Sequence, residues 1–301
     1  MALFHGVINS KALMKDTTLS MIVPSDDRKN IGFQGQPQLL ILLHGAGGSN
    51  YTWSKYSSIE RYTEPLNLIV LMPNIEFSFG LNMSNGLNYQ SYLGEELPQW
   101  ADKTFGLKLD RETTTIAGQS MGGFAAIHTA LAYPDKFGKC GVFSAPLALD
   151  EYLTGERPLG ANMAHSKLVS MWKDSIFGKD EADLTEASIR TKLQAFDAQQ
   201  WPLKLFHACG AEDMLYQDNS SFAQMAETKE GLEYRYNEYP GGHDFDVWDE
   251  CSKDFLVWML KQFEVEGFRL KGRIVAASRA FVRTKAILRC KMLVGKFPNP
   301  F

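Results

Sequence analysis

Serine, aspartate and histidine, in that order along the chain, carry the chemistry this sequence could do. Ser120 lies in Gly118-Gln119-Ser120-Met121-Gly122, Asp213 in Gly210-Ala211-Glu212-Asp213 and His243 in Gly241-Gly242-His243-Asp244. A serine alcohol is a poor nucleophile at neutral pH. It needs a base to take its proton and a carboxylate to orient that base. The pentapeptide alone is a weak signal, so its context decides. Thr113–Gln119 is rich in β-branched residues and Phe124–Leu131 has helical spacing, which reads as a strand, a sharp turn and a helix with the hydroxyl lifted clear at the turn. His243 is the candidate base because it follows a strand in a Gly-Gly turn. His128 reads as packing along its helix, His207 lies inside a strand, and His5 and His165 have no motif around them. Asp213 competes with Glu212 and Asp218 for the orienting role. Asp244 and Asp246 read as residues at the start of a helix, where a carboxylate is stabilised.

Acyl transfer through a serine also needs two backbone N–H groups aimed at the developing oxyanion. One is the amide of Met121, directly after the nucleophile. The other is expected from His44-Gly45-Ala46-Gly47-Gly48, the glycine-rich loop after the apolar run Leu39–Leu43, with Ala46 as the donor. His44 is expected to brace this loop. A phosphate cradle is the competing use of such a loop, but Gly-x-Gly-x-x-Gly and a P-loop lysine are absent. Trp53, Phe77, Phe79, Trp172 and Met214 are candidates to line an apolar pocket, each equally compatible with core packing.

These residues must be carried by strands whose carboxyl ends meet. Leu39–Leu43, Leu68–Met72, Thr113–Gln119, Cys140–Ser144, Leu203–Ala208 and Leu232–Tyr239 read as strands, several with the continuous apolar character of a parallel sheet covered on both faces. Residues 3–23 read as two further strands around a turn near Lys15-Asp16. A helix capped by Ser49 or Asn50 runs to about Tyr62, and Ser91–Phe105 is a helix bent or restarted at Pro98. The last helix places Val247, Trp248, Cys251, Phe255, Trp258 and Phe263 on one stripe. Alternating strands and helices, with the order Ser, Asp, His, imply an α/β-hydrolase fold: a mostly parallel central sheet, helices on both faces, and a helical cap-like insertion at about 146–202.

The chain has 301 residues and a net charge of −4, which gives no reason to invoke nucleic acid as a partner. Residues 267–301 hold nine Lys or Arg and no acid, so residues 1–266 carry −13. This divides the chain into a catalytic domain over 1–266 and a basic extension over 267–301. The extension could lie on an anionic membrane surface, dock on the acidic body or on a sister subunit in a homo-oligomer, or be a disordered tail. Cys140, Cys209, Cys251 and Cys290 are scattered without zinc-ligand or redox spacing, so no metal site is expected and buried free thiols in a reducing compartment are. Neither a signal peptide nor a membrane span is visible, which makes the cytoplasm the expected location.

Leu42–Gly48 with Trp53 and Ile59-Glu60-Arg61, then Tyr89–Leu97, Ala117–Gly123, Cys209–Asn219 and Gly241–Cys251, resemble the tributyrin-esterase branch of the esterase D family, in order over roughly residues 1–262. The resemblance implies an α/β-hydrolase with a Ser-His-Asp triad, hydrolysing short-chain acyl esters without a cofactor, with Ser120, Asp213 and His243 in those roles. S-formylglutathione hydrolases, feruloyl esterases and mycolyl transferases look like relatives, so other thioesters and feruloyl or acetyl-sugar esters stay open. A non-catalytic binding module on the same fold is disfavoured by the intact set of three residues. Pro146–Pro202 matches less clearly.

Overall fold

The computed structural model describes residues 1–25, 35–154, 173–177 and 187–261. Eight strands form one sheet: β1 (Ala2–Ser10), β2 (Lys15–Val23), β3 (Gln38–Leu43), β4 (Leu68–Pro73), β5 (Thr114–Gln119), β6 (Lys139–Phe143), β7 (Lys204–Gly210) and β8 (Glu233–Tyr239). Their order is β1-β2-β4-β3-β5-β6-β7-β8. Only β1/β2 and β2/β4 pair antiparallel; every other pair is parallel. All six residues of each of β3, β4 and β5 are buried, as expected of strands covered by helices on both faces; β5 buries Thr114, Thr115 and Gln119 as well as apolar residues. Edge strand β8 alternates instead.

The first hairpin turns earlier than the expected Lys15-Asp16. Lys15 and Asp16 pair with Ser10 and Asn9, and the turn is Lys11–Met14. Two features hold it there. Leu13 is fully buried, and the Glu96 carboxylate accepts from the Ser10 hydroxyl (2.6 Å) and from the Lys11 and Ala12 amides (2.7 and 3.0 Å).

The helix expected up to Tyr62 is two short helices, α1 (Thr52–Tyr56) and α2 (Ile59–Thr63), and α1 begins at Tyr51 without a side-chain cap. The break is at Ser57, extended at φ −126°, whose hydroxyl donates to the Trp53 carbonyl (2.6 Å) and accepts from the Ile59 amide (3.2 Å). Serines competing for backbone groups in this way interrupt helices. The region near Pro98 also differs in detail: α3 (Tyr89–Ser91) runs through a π-helical turn at Tyr92–Glu96 into α4 (Leu97–Phe105). Pro98 follows the π turn directly inside this continuous run, and the wider turn is where a helix accommodates a residue without an N–H.

Further helices among the described residues include α5 (Met121–Ala132), α6 (Leu149–Thr154), α7 (Ile189–Ala195), α8 (Tyr216–Glu227) and α9 (Phe245–Lys261). Asp249 of α9 accepts from the Ser58 amide and the Tyr62 hydroxyl, both at 2.6 Å, and so pins α2. Val247, Trp248, Cys251, Phe255 and Trp258 are buried on α9; Phe263, like the 267–301 extension and Cys290, lies outside the described residues. Cys140, Cys209 and Cys251 are buried thiols, and burial pushes Cys209 up to about 12. Of the cap-like insertion, α6 and α7 are joined by Ser188–Asp150 (2.6 Å) and Arg190–Glu151 (2.7 Å), and Tyr152 donates to Asp218 of α8 (3.1 Å). Among the described residues no helix is long and apolar enough to cross a membrane.

His207, on β7, is fully buried between the Tyr234 hydroxyl (2.6 Å) and the Asn219 amide oxygen (2.8 Å). Desolvation lowers its pKa to about 4. Between that value and the unfolded value near 6.5 the unfolded chain binds the extra proton, so stability is full above pH 6.5 and falls as pH drops toward 4. The loss from this residue is about 3 kcal/mol. Urea unfolding at pH 7.5 and 4.5 measures it, and the pH difference should shrink in His207→Gln.

Candidate active site

The parallel pairing brings the carboxyl ends of the strands to one edge: Leu43 is level with Gly118, Gln119 with Phe143, and Gly210 with Tyr239. Open α/β sheets bind ligands along this edge. Ser120 stands at the sharpest point, between β5 and α5, with φ 54° and ψ −123°. That backbone is strained for any residue with a Cβ, and strain of this kind gathers at functional sites. The turn closes only because its flanks are glycines. A Cβ on Gly118 would lie 2.5 Å from the Gly122 backbone, and one on Gly122 would lie 2.6 Å from the Leu43 and His44 carbonyl oxygens.

The three candidate residues form one hydrogen-bonded chain. His243 Nε2 is 2.9 Å from Ser120 Oγ, and His243 Nδ1 is 2.9 and 3.0 Å from the Asp213 carboxylate oxygens. Asp213 is buried, and Oδ1 also accepts from the Leu215 amide (2.8 Å). Burial alone would raise its pKa. The hydrogen bond and charge of His243, the Leu215 amide and the nearby Ser144 hydroxyl together outweigh burial and hold the carboxyl below its usual range. With Asp213 ionised, Nδ1 carries the ring proton and Nε2 is free to accept from Ser120.

The competing residues are placed elsewhere. Asp244 caps α9, accepting from the Asp246 and Val247 amides (3.0 and 3.2 Å). Asp218 meets Tyr152, and Glu212 is exposed. His128 is buried and stacks on Phe124, with ring centroids 5.8 Å apart, and His5 bonds the Ser20 hydroxyl. His165 lies outside the described residues.

Ala46 and Met121 both border the cavity above Ser120. The Met121 amide opens α5, where the first N–H groups of a helix have no intrahelical acceptor. The loop holding Ala46 is fixed by His44: Nε2 accepts from the Ile75 amide (3.0 Å), so Nδ1 is the protonated nitrogen and donates to the Gly45 carbonyl (2.8 Å). Burial lowers the His44 pKa and keeps this neutral tautomer.

The cavity has a volume of about 860 Å³ and is mostly apolar. Phe77, Phe79 and Met214 line it, as do Leu149, Pro146, Tyr56, Phe245 and Trp248. Trp53 does not. It is buried in the core, its indole N–H donating to the Leu43 carbonyl (2.9 Å) and its ring edge-on to Phe143 and Phe245. A tryptophan beginning a short helix under β3 has its polar handle satisfied by the strand, so it supports the wall from behind. Trp172 lies outside the described residues. Trp248 escaped sequence reasoning because it read as part of the buried stripe of the last helix, and Phe245 was not singled out, although their place directly after His243 was the available signal. Among the described residues no cluster of three His, Cys, Asp or Glu could hold a metal.

A mostly parallel eight-stranded sheet with a serine at the strand–helix turn, and histidine and aspartate on the loops after β8 and β7, defines an α/β-hydrolase. The Esterase family model matches residues 10–251, and the chain belongs to that family. It is 29% identical over 272 residues to an acetyl esterase of Caldicellulosiruptor saccharolyticus, covering 87% of this chain and 99% of that one. The structure of FphF, a fluorophosphonate-binding serine hydrolase of Staphylococcus aureus, is similar with TM-score 0.73 and 30% identity, over 86% of this chain and 98% of that one. The S-formylglutathione hydrolase FrmB of the same organism gives TM-score 0.69 at 30% identity, with the same coverage of 86% and 98%. The protein is a serine esterase, a carboxylic ester hydrolase.

Proposed function

We propose that this esterase, of the tributyrin-esterase type within the esterase D family, hydrolyses short-chain acyl esters through an acyl-enzyme on Ser120. The observation that carries the reading is the hydrogen-bonded chain from Ser120 through His243 to a buried, ionised Asp213 at the floor of an apolar cavity. His243 takes the Ser120 proton as Oγ attacks the ester carbonyl, and the Ala46 and Met121 amides hold the oxyanion. His243 then protonates the leaving alcohol. Water activated by the same imidazole releases the acid and restores the serine. The steps use only groups of this chain and no cofactor.

A second reading has one specific support, the likeness to an S-formylglutathione hydrolase. In it the leaving group is a peptide-like thiol, which the exposed side of the cavity with Lys55 and Glu60 could meet. Specificity constants for p-nitrophenyl acetate and butyrate, aryl esters, an acetylated sugar and S-formylglutathione separate the readings. The esterase reading predicts a preference for oxygen esters over S-formylglutathione of at least ten-fold; the reverse ranking transfers the assignment to the thioester. The division into a 1–266 catalytic domain and a 267–301 extension is part of this proposal. Flotation with anionic liposomes, comparing the full chain with one ended at Gly267, tests a membrane role for the extension.

A further inference from the structure

Phe79 has a backbone that a bulky aromatic residue rarely adopts, with φ 54°. The conformation is enforced from several sides. The Ser78 hydroxyl donates to the Ile75 carbonyl (2.6 Å) and accepts from the Gly80 amide (3.0 Å). Gly80, itself at φ 68°, lies so close to α5 that a Cβ would be 2.6 Å from the Ala125 side chain. The Ile75 amide is tied to His44, at the root of the loop that holds Ala46. Strain so heavily restrained marks a position whose geometry is used.

The chemistry divides the cavity into two sides. His243 must reach the leaving oxygen, so the leaving group lies along the wall of Tyr56, Phe245 and Trp248, whose rings form a continuous series beside the imidazole. That side is open, with Tyr56 55% exposed. The carbonyl oxygen points at Ala46 and Met121, which leaves the acyl group the direction away from His243. Phe79 lines the same cavity in a ring cluster separate from that series, edge-on to Phe77 and to Phe124, one turn along α5 from Ser120, at 5.5 Å in both cases. It is 4% exposed, and Phe177 packs on it at 5.2 Å.

We propose that Phe79 is the specificity-determining residue for acyl length, a rigid end wall that stops the acyl side of the cavity. The inference rests on the proposed serine-esterase mechanism. Its test is the ratio of kcat/KM for p-nitrophenyl octanoate to that for p-nitrophenyl acetate, normalised to active sites titrated with a fluorophosphonate. The ratio should rise at least ten-fold in Phe79→Ala and at least three-fold in Phe79→Leu, which keeps an apolar side chain in the cluster should the alanine variant fail to fold. Tyr56→Ala should change the ranking of leaving alcohols at fixed acyl group and leave the chain-length ratio alone. A ratio within three-fold of wild type in the titratable Phe79 variants, or a shift of the ratio produced by Tyr56→Ala instead, overturns the inference. Absence of titratable sites in the wild type would overturn the mechanism itself, so the two failures are distinguishable.

Discussion

Ser120→Ala is expected to lower kcat/KM for p-nitrophenyl acetate by roughly 10⁵- to 10⁶-fold, the scale on which the members of such a triad act as one unit. What remains should be the small acceleration that the Ala46 and Met121 amides give to attack by water. The loss should fall mainly on kcat, because the hydroxyl contributes by forming the bond to the carbonyl carbon in the transition state. The same position has a second expected result, opposite in sign. At φ 54° and ψ −123° any Cβ is strained, whereas glycine adopts such a backbone freely. Ser120→Gly should therefore be as inactive as Ser120→Ala but more stable than it by about 1 kcal/mol in urea unfolding. Equal stability of the two variants would show that the turn is relaxed and that no strain is held for function.

Asp213→Asn carries the next largest effect, roughly 10⁴-fold in kcat at neutral pH. The amide is nearly isosteric, so the loop should keep its shape through the Leu215 contact (2.8 Å). What changes is the imidazole. The carboxylate accepts from Nδ1 with both oxygens within 3.0 Å, which fixes the proton there and, in the proposed mechanism, stabilises the imidazolium formed during attack. An asparagine can present its NH₂ group instead, and that selects the tautomer with Nε2 protonated and unable to accept from Ser120. Asp244, the neighbour of His243, supplies the contrast. It caps α9, so Asp244→Ala should cost about 1 kcal/mol of stability and leave kcat within about two-fold. Should Asp244→Ala lose activity on the scale of Asp213→Asn, the carboxylate roles would have to be exchanged. Asp213 also contributes its own pH window. Its folded pKa is depressed, so its stabilisation is present above the unfolded value near 4 and is lost only below it. That window lies beneath the one set by His207, and unfolding measured across pH separates them.

Much of the fold was legible because buried parallel strands write themselves as apolar runs, as Leu39–Leu43 and Leu68–Met72 do, while Thr113–Gln119 was legible from its β-branched residues. The elbow was legible for a related reason. Only glycine fits where Gly118 meets Gly122 and Gly122 meets the end of β3, so steric necessity is spelled directly in the sequence. Features set by long-range contacts were not. The break between α1 and α2 depends on Ser57 hydrogen bonds and on Asp249, 191 residues from Ser58. The hairpin turn depends on Glu96, 85 residues from Lys11. Trp53 illustrates the ambiguity of aromatic residues: nothing in its sequence neighbours tells whether an indole faces a cavity or reaches back to a strand carbonyl, and here it does the latter. Phe79 is the converse, since its unusual φ is imposed by Ser78 and by the approach of Gly80 to α5 rather than by any local propensity.

In the proposed mechanism one serine, activated by His243, carries the acyl group. Peptide mapping by mass spectrometry after treatment with a fluorophosphonate tests it most directly. A single stoichiometric adduct is expected on the peptide containing Ser120, lost in Ser120→Ala and formed far more slowly in His243→Ala. An adduct on another residue, or labelling of Ser120 at the same rate without His243, would contradict it.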